Sequence, residues 1–275
     1  MSEKQVLAVD YGASGGRVML GGFDGASLTI SELHRFPNDP VKLGDTMYWD
    51  VLRLFFEMKQ GIVKSKAHGA ISGIGVDTWG VDFGLLDREG RLLDNPVHYR
   101  DGRTAGMMEK TLKMVGRDPL YELTGNQLME INTLFQLMAV KERRPELLER
   151  ADALLLMPDL FQYFLSGEKI SEKSIASTTQ MMDMRQGEWA FGLLETLGLR
   201  AGMMRDILPG AVRTGSLRPE IQKELGVPAM EVIAVAGHDT QSAMAAIPAR
   251  EEDFLFISCG TWGLFGTELP EPVIS

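Results

Sequence analysis

His238 and Asp239 sit where an apolar stretch, VIAVAG (232–237), gives way to the small, helix-forming residues TQSAMAAI. A carboxylate at the edge of a core is costly to desolvate, so its presence there asks for a purpose. Asp239 can cap the helix that follows, a role that contributes about 1 kcal/mol. It can also accept a proton as a general base, because a carboxylate is ionised at neutral pH. The two roles can coexist. A second candidate is DYGASGGR, Asp10 to Arg17, between two apolar runs. Its glycines and small residues let backbone N–H groups close on an anion, and Asp10 can hold a metal-bound water beside it. No Gly-Lys-Ser/Thr follows, so this is not a Walker loop. A third is SCGTWG, Ser258 to Gly263. Each turn alone reads as a turn. Two of them, at opposite ends of the chain and each following a strand, can clamp a polyphosphate from two sides.

The elements that must position these residues are legible in outline. QVLAVDYG, GGRVMLGGF and SLTISELHRF read as three strands separated by glycine-bearing turns. WDVLRLFFEMKQGIVKSKA reads as a helix whose apolar face is Leu52, Phe55, Phe56, Ile62 and Val63. ISGIGVDTWG is a further strand, followed by VDFGLLD and the turn DREGRLL. Three strands, a helix and another strand predict a mixed sheet covered by helices. The middle reads as helical. TLFQLMAVKERR stops before Pro145, PELLERA continues, and PDLFQYFLSG opens with Pro158 and closes on Gly167. EWAFGLLETLGL and RPEIQKELGV are short helices with glycine ends, VIAVAG returns to strand, and EEDFLFISCGTWGLFG opens a new strand-and-turn unit. A hairpin without a covering layer cannot build its own core, so the chain is expected to lack most of a second domain.

Composition narrows the function classes. The 275 residues are 44% hydrophobic and 24% charged, with a net charge of −10 and no basic run longer than Arg143-Arg144, which argues against nucleic-acid or anionic-membrane partners. The single cysteine, Cys259, excludes an intramolecular disulfide and is expected to be a small buried residue. With no leader-like or membrane-spanning apolar run, the expectation is a cytoplasmic protein. The 17 methionines are expected to be flexible core filler. His34, His68 and His98 carry no functional expectation.

Five stretches occur in order: Asp10 to Arg17, GVDTWGVDFGLLD (75–87), YRDGRT (99–104), GHDT (237–240) and SCGTW (258–262). In them the chain resembles the FGGY carbohydrate kinases of the actin/hexokinase-like ATPase superfamily. PELLERADALLLMPDLFQYFLSG is similar to that family's helical middle, so the resemblance covers nearly the whole sequence. It implies an α/β fold with a ribonuclease-H-like domain over 1–247, and over 248–275 the beginning of a second, similar nucleotide-binding domain, truncated.

The resemblance further implies ATP-dependent phosphorylation of a ketose at its terminal C1 hydroxyl. GVDTWGVDFGLLD and HYRD point to L-rhamnulose as the acceptor. ATP and Mg²⁺ are implied as cofactors, the sugar and ATP as partners, and the remainder of the C-terminal domain as necessary to complete the site. Ala13, Ser14, Gly15, Gly16 and Arg17 would contact the phosphates, with Asp10 near Mg²⁺ through water and Thr261 on the nucleotide from the second turn. Gly80, flanked by Trp79 and Asp82, would line the sugar pocket, with Asp101 on the sugar side and His238 touching the sugar. Asp239 would be the general base. Read without the resemblance, Trp79 is equally a core residue, Asp101 and Arg103 a surface ion pair, and Cys259 no nucleophile. The rival readings are a kinase of xylulose, fuculose or a polyol, a non-catalytic sugar-binding relative, and an ATPase driving conformational work. The 275-residue piece alone is expected to be nearly inactive.

Overall fold

The structure is a computed structural model that describes residues 4–251, 254–259 and 263–275. Its centre is a six-stranded mixed sheet. β1 (Lys4–Tyr11), β2 (Gly15–Phe23) and β3 (Leu28–Pro37) form an antiparallel meander. β4 (Ile71–Thr78) then pairs parallel with β1, in register from Val6↔Gly73 to Tyr11↔Thr78. β5 (Phe83–Leu86) and β6 (Ala153–Leu156) pair with each other outside this sheet. β7 (Val212–Ser216) and β8 (Glu231–Ala234) complete the main sheet in the order β7-β8-β4-β1-β2-β3, with β8 parallel to β4. β9 (Phe256–Cys259) and β10 (Gly263–Gly266) make a separate hairpin. The mixed sheet expected from the sequence is present, and its order is that of a ribonuclease-H-like domain.

Helix α1 (Val51–Ser65) crosses from β3 to β4, its N-cap Asp50 accepting the Arg53 N–H. It buries Val51, Leu54, Met58 and Ile62, with Gly61 facing the sheet so closely that a Cβ there would lie 2.3 Å from Val18 Cγ2. The apolar face expected for this helix is corrected: Leu52, Phe56 and Val63 are exposed and Phe55 is partly buried. The true face is set one position round, because aliphatic Val51 and Leu54 and the small Gly61 allow close approach to β2.

The middle is helical as expected, with α2 (Met107–Val115), α3 (Arg117–Thr124), α4 (Thr133–Arg143), α5 (Pro145–Arg150) and α6 (Met157–Ser166). Gly167 ends α6 in the left-handed conformation at φ 85°. Short helices α7 (Lys173–Ala176), α8 (Phe191–Thr196), α9 (Pro219–Leu225) and α10 (Asp239–Ala245) follow.

Two cores flank the β5–β6 ribbon. Leu86, Ala153 and Leu155 point into the core shared by the main sheet, α1 and α6, while Phe83, Leu85, Leu154 and Leu156 point into the core of the helical middle. Burial on both faces explains why ALLL is an unbroken apolar run. That run is not distinguishable by periodicity from the helices beside it, so β6 is absent from the sequence reading. Eight methionines lie in the two cores, as filler. Cys259 is exposed, which corrects the burial expected of it, because the β9–β10 hairpin is uncovered on the Cys259 side.

Candidate active site

A cavity of about 1160 Å³ opens at the carboxyl ends of β1 and β4 and just beyond β8. The first hairpin supplies Asp10 and Gly12 to Arg17, the segment after β4 supplies Trp79, Gly80 and Val81, and the chain after β8 supplies His238 to Ala243. Ser258 and Leu264 of the C-terminal hairpin also line it. Strand alternation accounts for the first of these: Leu7, Val9 and Tyr11 are buried, so Asp10 faces the other way.

The hairpin is held as a tight turn by Gly12 N–H, which donates to Gly15 O at 2.9 Å. Asn38, 2% exposed, straps it with Nδ2 donating to Gly12 O at 2.8 Å and its N–H donating to Ser14 O at 3.3 Å. Gly16 has a packing reason to be glycine, since a Cβ would meet the Phe36 ring at 2.3 Å. Arg17 is the cross-strand partner of Asp10 and its guanidinium lies 3.7 Å from that carboxylate. All five phosphate-turn residues expected from the sequence therefore reach one cavity. Thr261 lies outside the described residues.

Three carboxylates line the same space. Asp10 and Asp77 are register partners on β1 and β4, and Asp239 opens α10. Burial raises the Asp10 carboxyl above its ordinary value, Arg17 opposes the shift, and Asp239 adds to it. Asp77 is pushed well above the usual range by burial, then by the charges of Asp10 and Asp239.

Asp239 is the first residue of α10, not its cap. His238 holds the cap position, and the Asp239 Oδ1 accepts the N–H of Thr240 at 2.6 Å. His238 Nδ1 pairs with Gln241 Oε1, leaving Nε2 3.5 Å from Asp239 Oδ1. A Cβ on Gly80 would stand 3.3 Å from His238 Nε2 and 3.4 Å from Thr178 Cγ2, so this glycine keeps the space in front of the histidine open.

Two residues expected on the sugar side, Asp82 and Asp101, do not line this cavity. Asp82 is fully buried behind the cavity wall, where it accepts Trp49 Nε1 at 2.6 Å, Gln136 Nε2 at 2.8 Å, Trp79 Nε1 at 3.0 Å and Tyr99 N–H at 3.2 Å. Burial pushes its carboxyl up to about 6, against the hydrogen bonds from Trp49, Gln136 and Trp79. Asp82 thus holds two wall residues, Trp79 and Tyr99, from behind. Asp101 accepts the N–H groups of Met47 at 2.8 Å and Arg103 at 2.9 Å, one on each oxygen, which ties it to the loop. Arg103 donates to Gln136 Oε1 at 2.6 Å, so these two residues are not a surface ion pair either. Trp79 is both core and wall: it is 4% exposed and still lines the cavity.

The sequence reading missed Asp77, Asn38, Val81, Glu172 and Thr178. Asp77 stood inside the quoted GVDTWG, and the parallel register of β4 with β1 is the signal that would have found it. Val81 has φ 68°, rare for a β-branched residue. It is the centre of a γ-turn closed by Asp82 N–H donating to Gly80 O at 2.9 Å. Val81 O accepts from Thr133 Oγ1 at 2.7 Å, which helps to hold the strained turn.

Comparison with known proteins matches residues 5–246 to the N-terminal domain of the FGGY family of carbohydrate kinases. The chain belongs to the FGGY family. Among curated FGGY relatives it is 42% identical over 276 aligned residues to a protein named Rhamnulokinase from Bacteroides thetaiotaomicron, covering 99% of this chain and 56% of the relative. Rhamnulokinase of Oceanobacillus iheyensis is likewise 42% identical, over 97% of this chain and 57% of its own length. The chain therefore spans about half the length of the curated relatives it matches. Its fold is also that of xylulose kinase from Lactobacillus acidophilus, with a TM-score of 0.85 at 16% identity over 98% of this chain and 55% of that one. A carbohydrate kinase from Novosphingobium aromaticivorans superposes with a TM-score of 0.83 at 21% identity, over 100% of this chain and 58% of the other. Among the described residues no helix is long and apolar enough to cross a membrane.

Proposed function

We propose that this chain supplies the acceptor site and catalytic base of a kinase that phosphorylates the C1 hydroxyl of a ketose, L-rhamnulose, with ATP. The observation that carries the reading is the Asp239 carboxylate in the same cavity as the Asp10–Arg17 hairpin and Gly80. The 42% identity to a protein named Rhamnulokinase supports the choice of sugar. Asp239 takes the proton of the C1 hydroxyl as its oxygen bonds to the γ-phosphorus, and the bond from that phosphorus to the bridging oxygen breaks to release ADP. The backbone N–H groups and Arg17 of the hairpin orient the phosphates and balance their charge. Gly80 and His238 bound the acceptor, with Trp79 behind them.

The donor set suits Mg²⁺. Three carboxylates line one cavity, and burial and mutual repulsion raise Asp10 and Asp77. Among the described residues no three acidic, histidine or cysteine groups converge at ligand distance, which fits a cation held largely through water. Asp10 and Asp77 would hold it, and when bound it would neutralise phosphate charge.

We further place a domain boundary near residue 247, supported by the family match ending at 246 and by the β9–β10 hairpin standing apart from the main sheet. Use of ATP supports a cytoplasmic location. The test is ADP release from MgATP with L-rhamnulose, xylulose and fuculose, run on the 275-residue chain alone and joined to the C-terminal half of the Bacteroides thetaiotaomicron relative. Little turnover is expected from these 275 residues alone, and rhamnulose-dependent turnover once a C-terminal half like that of the longer relatives is present. Asp239→Asn should lower kcat by about 10²- to 10⁴-fold with sugar affinity nearly intact. Survival of activity in that variant removes Asp239 from the role, and turnover only with another ketose replaces the substrate.

A further inference from the structure

The segment Glu172–Gln180 lies between the two walls of the cavity and touches both. On one side, the Glu172 carboxylate, 2% exposed, accepts the N–H groups of Ser174 at 2.9 Å, Ile175 at 3.1 Å and Gly237 at 2.9 Å, and the Ser174 hydroxyl at 2.6 Å. Ser174 Oγ in turn accepts the His238 N–H at 3.2 Å. Gly237 O accepts Thr78 N–H at 2.8 Å, so the peptide leading into His238 and Asp239 is pinned on both sides. A Cβ at Gly237 would come within 2.9 Å of Pro158 and 3.1 Å of Glu172 Oε2, leaving the loop no slack. On the other side, Thr178 Oγ1 accepts the N–H of strained Val81 at 3.2 Å while donating to Ile175 O at 2.8 Å. One short segment thereby fixes both the residue before Asp239 and the residue after Gly80.

We propose that Glu172 and Thr178 are positioning residues: Glu172, through Ser174, sets the Asp239 carboxylate, and Thr178 sets the acceptor-side turn at Gly80–Val81. The proposal rests on the kinase reading above. The physical reason is the donor count. The Glu172 carboxylate accepts from four donors, so an amide at this position turns an N–H₂ toward an N–H or hydroxyl donor and loosens the loop. Val81 N–H depends on a hydroxyl oxygen that a valine at 178 would lack while keeping the same shape.

The two arms predict different kinetic signatures. Thr178→Val should weaken ketose binding about tenfold, leaving kcat within about threefold, and Thr178→Ser should restore it. Ser174→Ala and Glu172→Gln should lower kcat about tenfold with the sugar KM within about threefold, Ser174→Ala being the milder change in a part-exposed position. Amide hydrogen exchange without ligand reads the positioning directly. Thr178→Val should speed exchange around Val81, and Ser174→Ala and Glu172→Gln around Gly237–Asp239. Unchanged exchange at those amides overturns the proposal whatever the enzyme does. So does Thr178→Ser behaving as Thr178→Val, or both arms shifting KM and kcat alike. If the exchange changes appear while the wild-type product phosphorylates no ketose, the positioning stands and the kinase reading falls.

Discussion

Asp10 and Asp77 stand opposite each other on adjacent parallel strands, both facing a cavity that Asp239 also lines. Three carboxylates in one partly dry space repel one another, and the fold tolerates this at a cost in stability. Asp77→Asn should therefore raise the midpoint of thermal unfolding in EDTA by a few degrees, on the order of 1 kcal/mol. The same change should shrink the stabilisation that added MgCl₂ gives the parent chain. Differential scanning fluorimetry across a MgCl₂ titration measures both, and an equal Mg²⁺ response in parent and variant argues against a cation between these residues.

Asp82 makes a sharper case for charge in the interior. All four of its neighbours donate to it, and an asparagine would turn an N–H₂ group toward at least one of them. Asp82→Asn should cost about 1–3 kcal/mol of stability in urea titration. It should also alter tryptophan emission, since the indoles of Trp49 and Trp79 both lose a carboxylate. A variant with parent stability and spectrum would show that the carboxylate is not what holds this wall.

Gly80→Ala would put a methyl within 3.3 Å of His238 Nε2 and 3.4 Å of Thr178, on the side where the acceptor is proposed to lie. Sugar affinity should fall at least about tenfold while the unfolding midpoint moves little, because the part-exposed His238 side chain need give by only a few tenths of an ångström. Isothermal titration of L-rhamnulose into the protein reads the first, and fluorimetry the second. Unchanged affinity would move the acceptor away from Gly80.

His98 is 4% exposed and stacks on Trp49 at 4.0 Å between centroids, with its Nδ1 accepting the Arg100 N–H. Burial and then the Arg100 charge depress it from 6.5 to about 4. A depressed histidine binds its proton less readily in the folded state. Its contribution is thus present above pH 6.5 and is lost as pH falls toward 4, by up to about 3 kcal/mol. Asp82 has the opposite sign: raised from 3.8 to about 6, its contribution is present below pH 3.8 and lost as pH rises through about 6. Imidazole proton shifts followed by NMR should show His98 neutral down to about pH 4, and a midpoint near 6.5 would contradict the buried stack.

Much of this molecule is written locally. Proline at the start of α5, and proline and glycine at the two ends of α6 and α9, set those helices from sequence alone, and the glycine hairpin, GHDT and the Gly80 stretch were recognisable because each is contiguous. A helix face is harder, as α1 shows: Phe56 is as apolar as Met58, and only contact with β2 through Gly61 decides which is buried.

The amino-acid order by itself determined the family, most of the strands and helices in their order, and a set of short segments that the family resemblance ties to phosphate, sugar and a proton. Tertiary structure decided which aspartates do which work. Asp82 and Asp101 lie in quoted motifs yet are held by donors from residues up to 54 positions away, whereas Asp77 is carried to Asp10 by parallel pairing. Glu172 and Thr178 touch partners 65 and 97 positions distant. Capping and periodicity act over one or two turns of chain, but desolvation and donor count depend on neighbours that folding alone brings together.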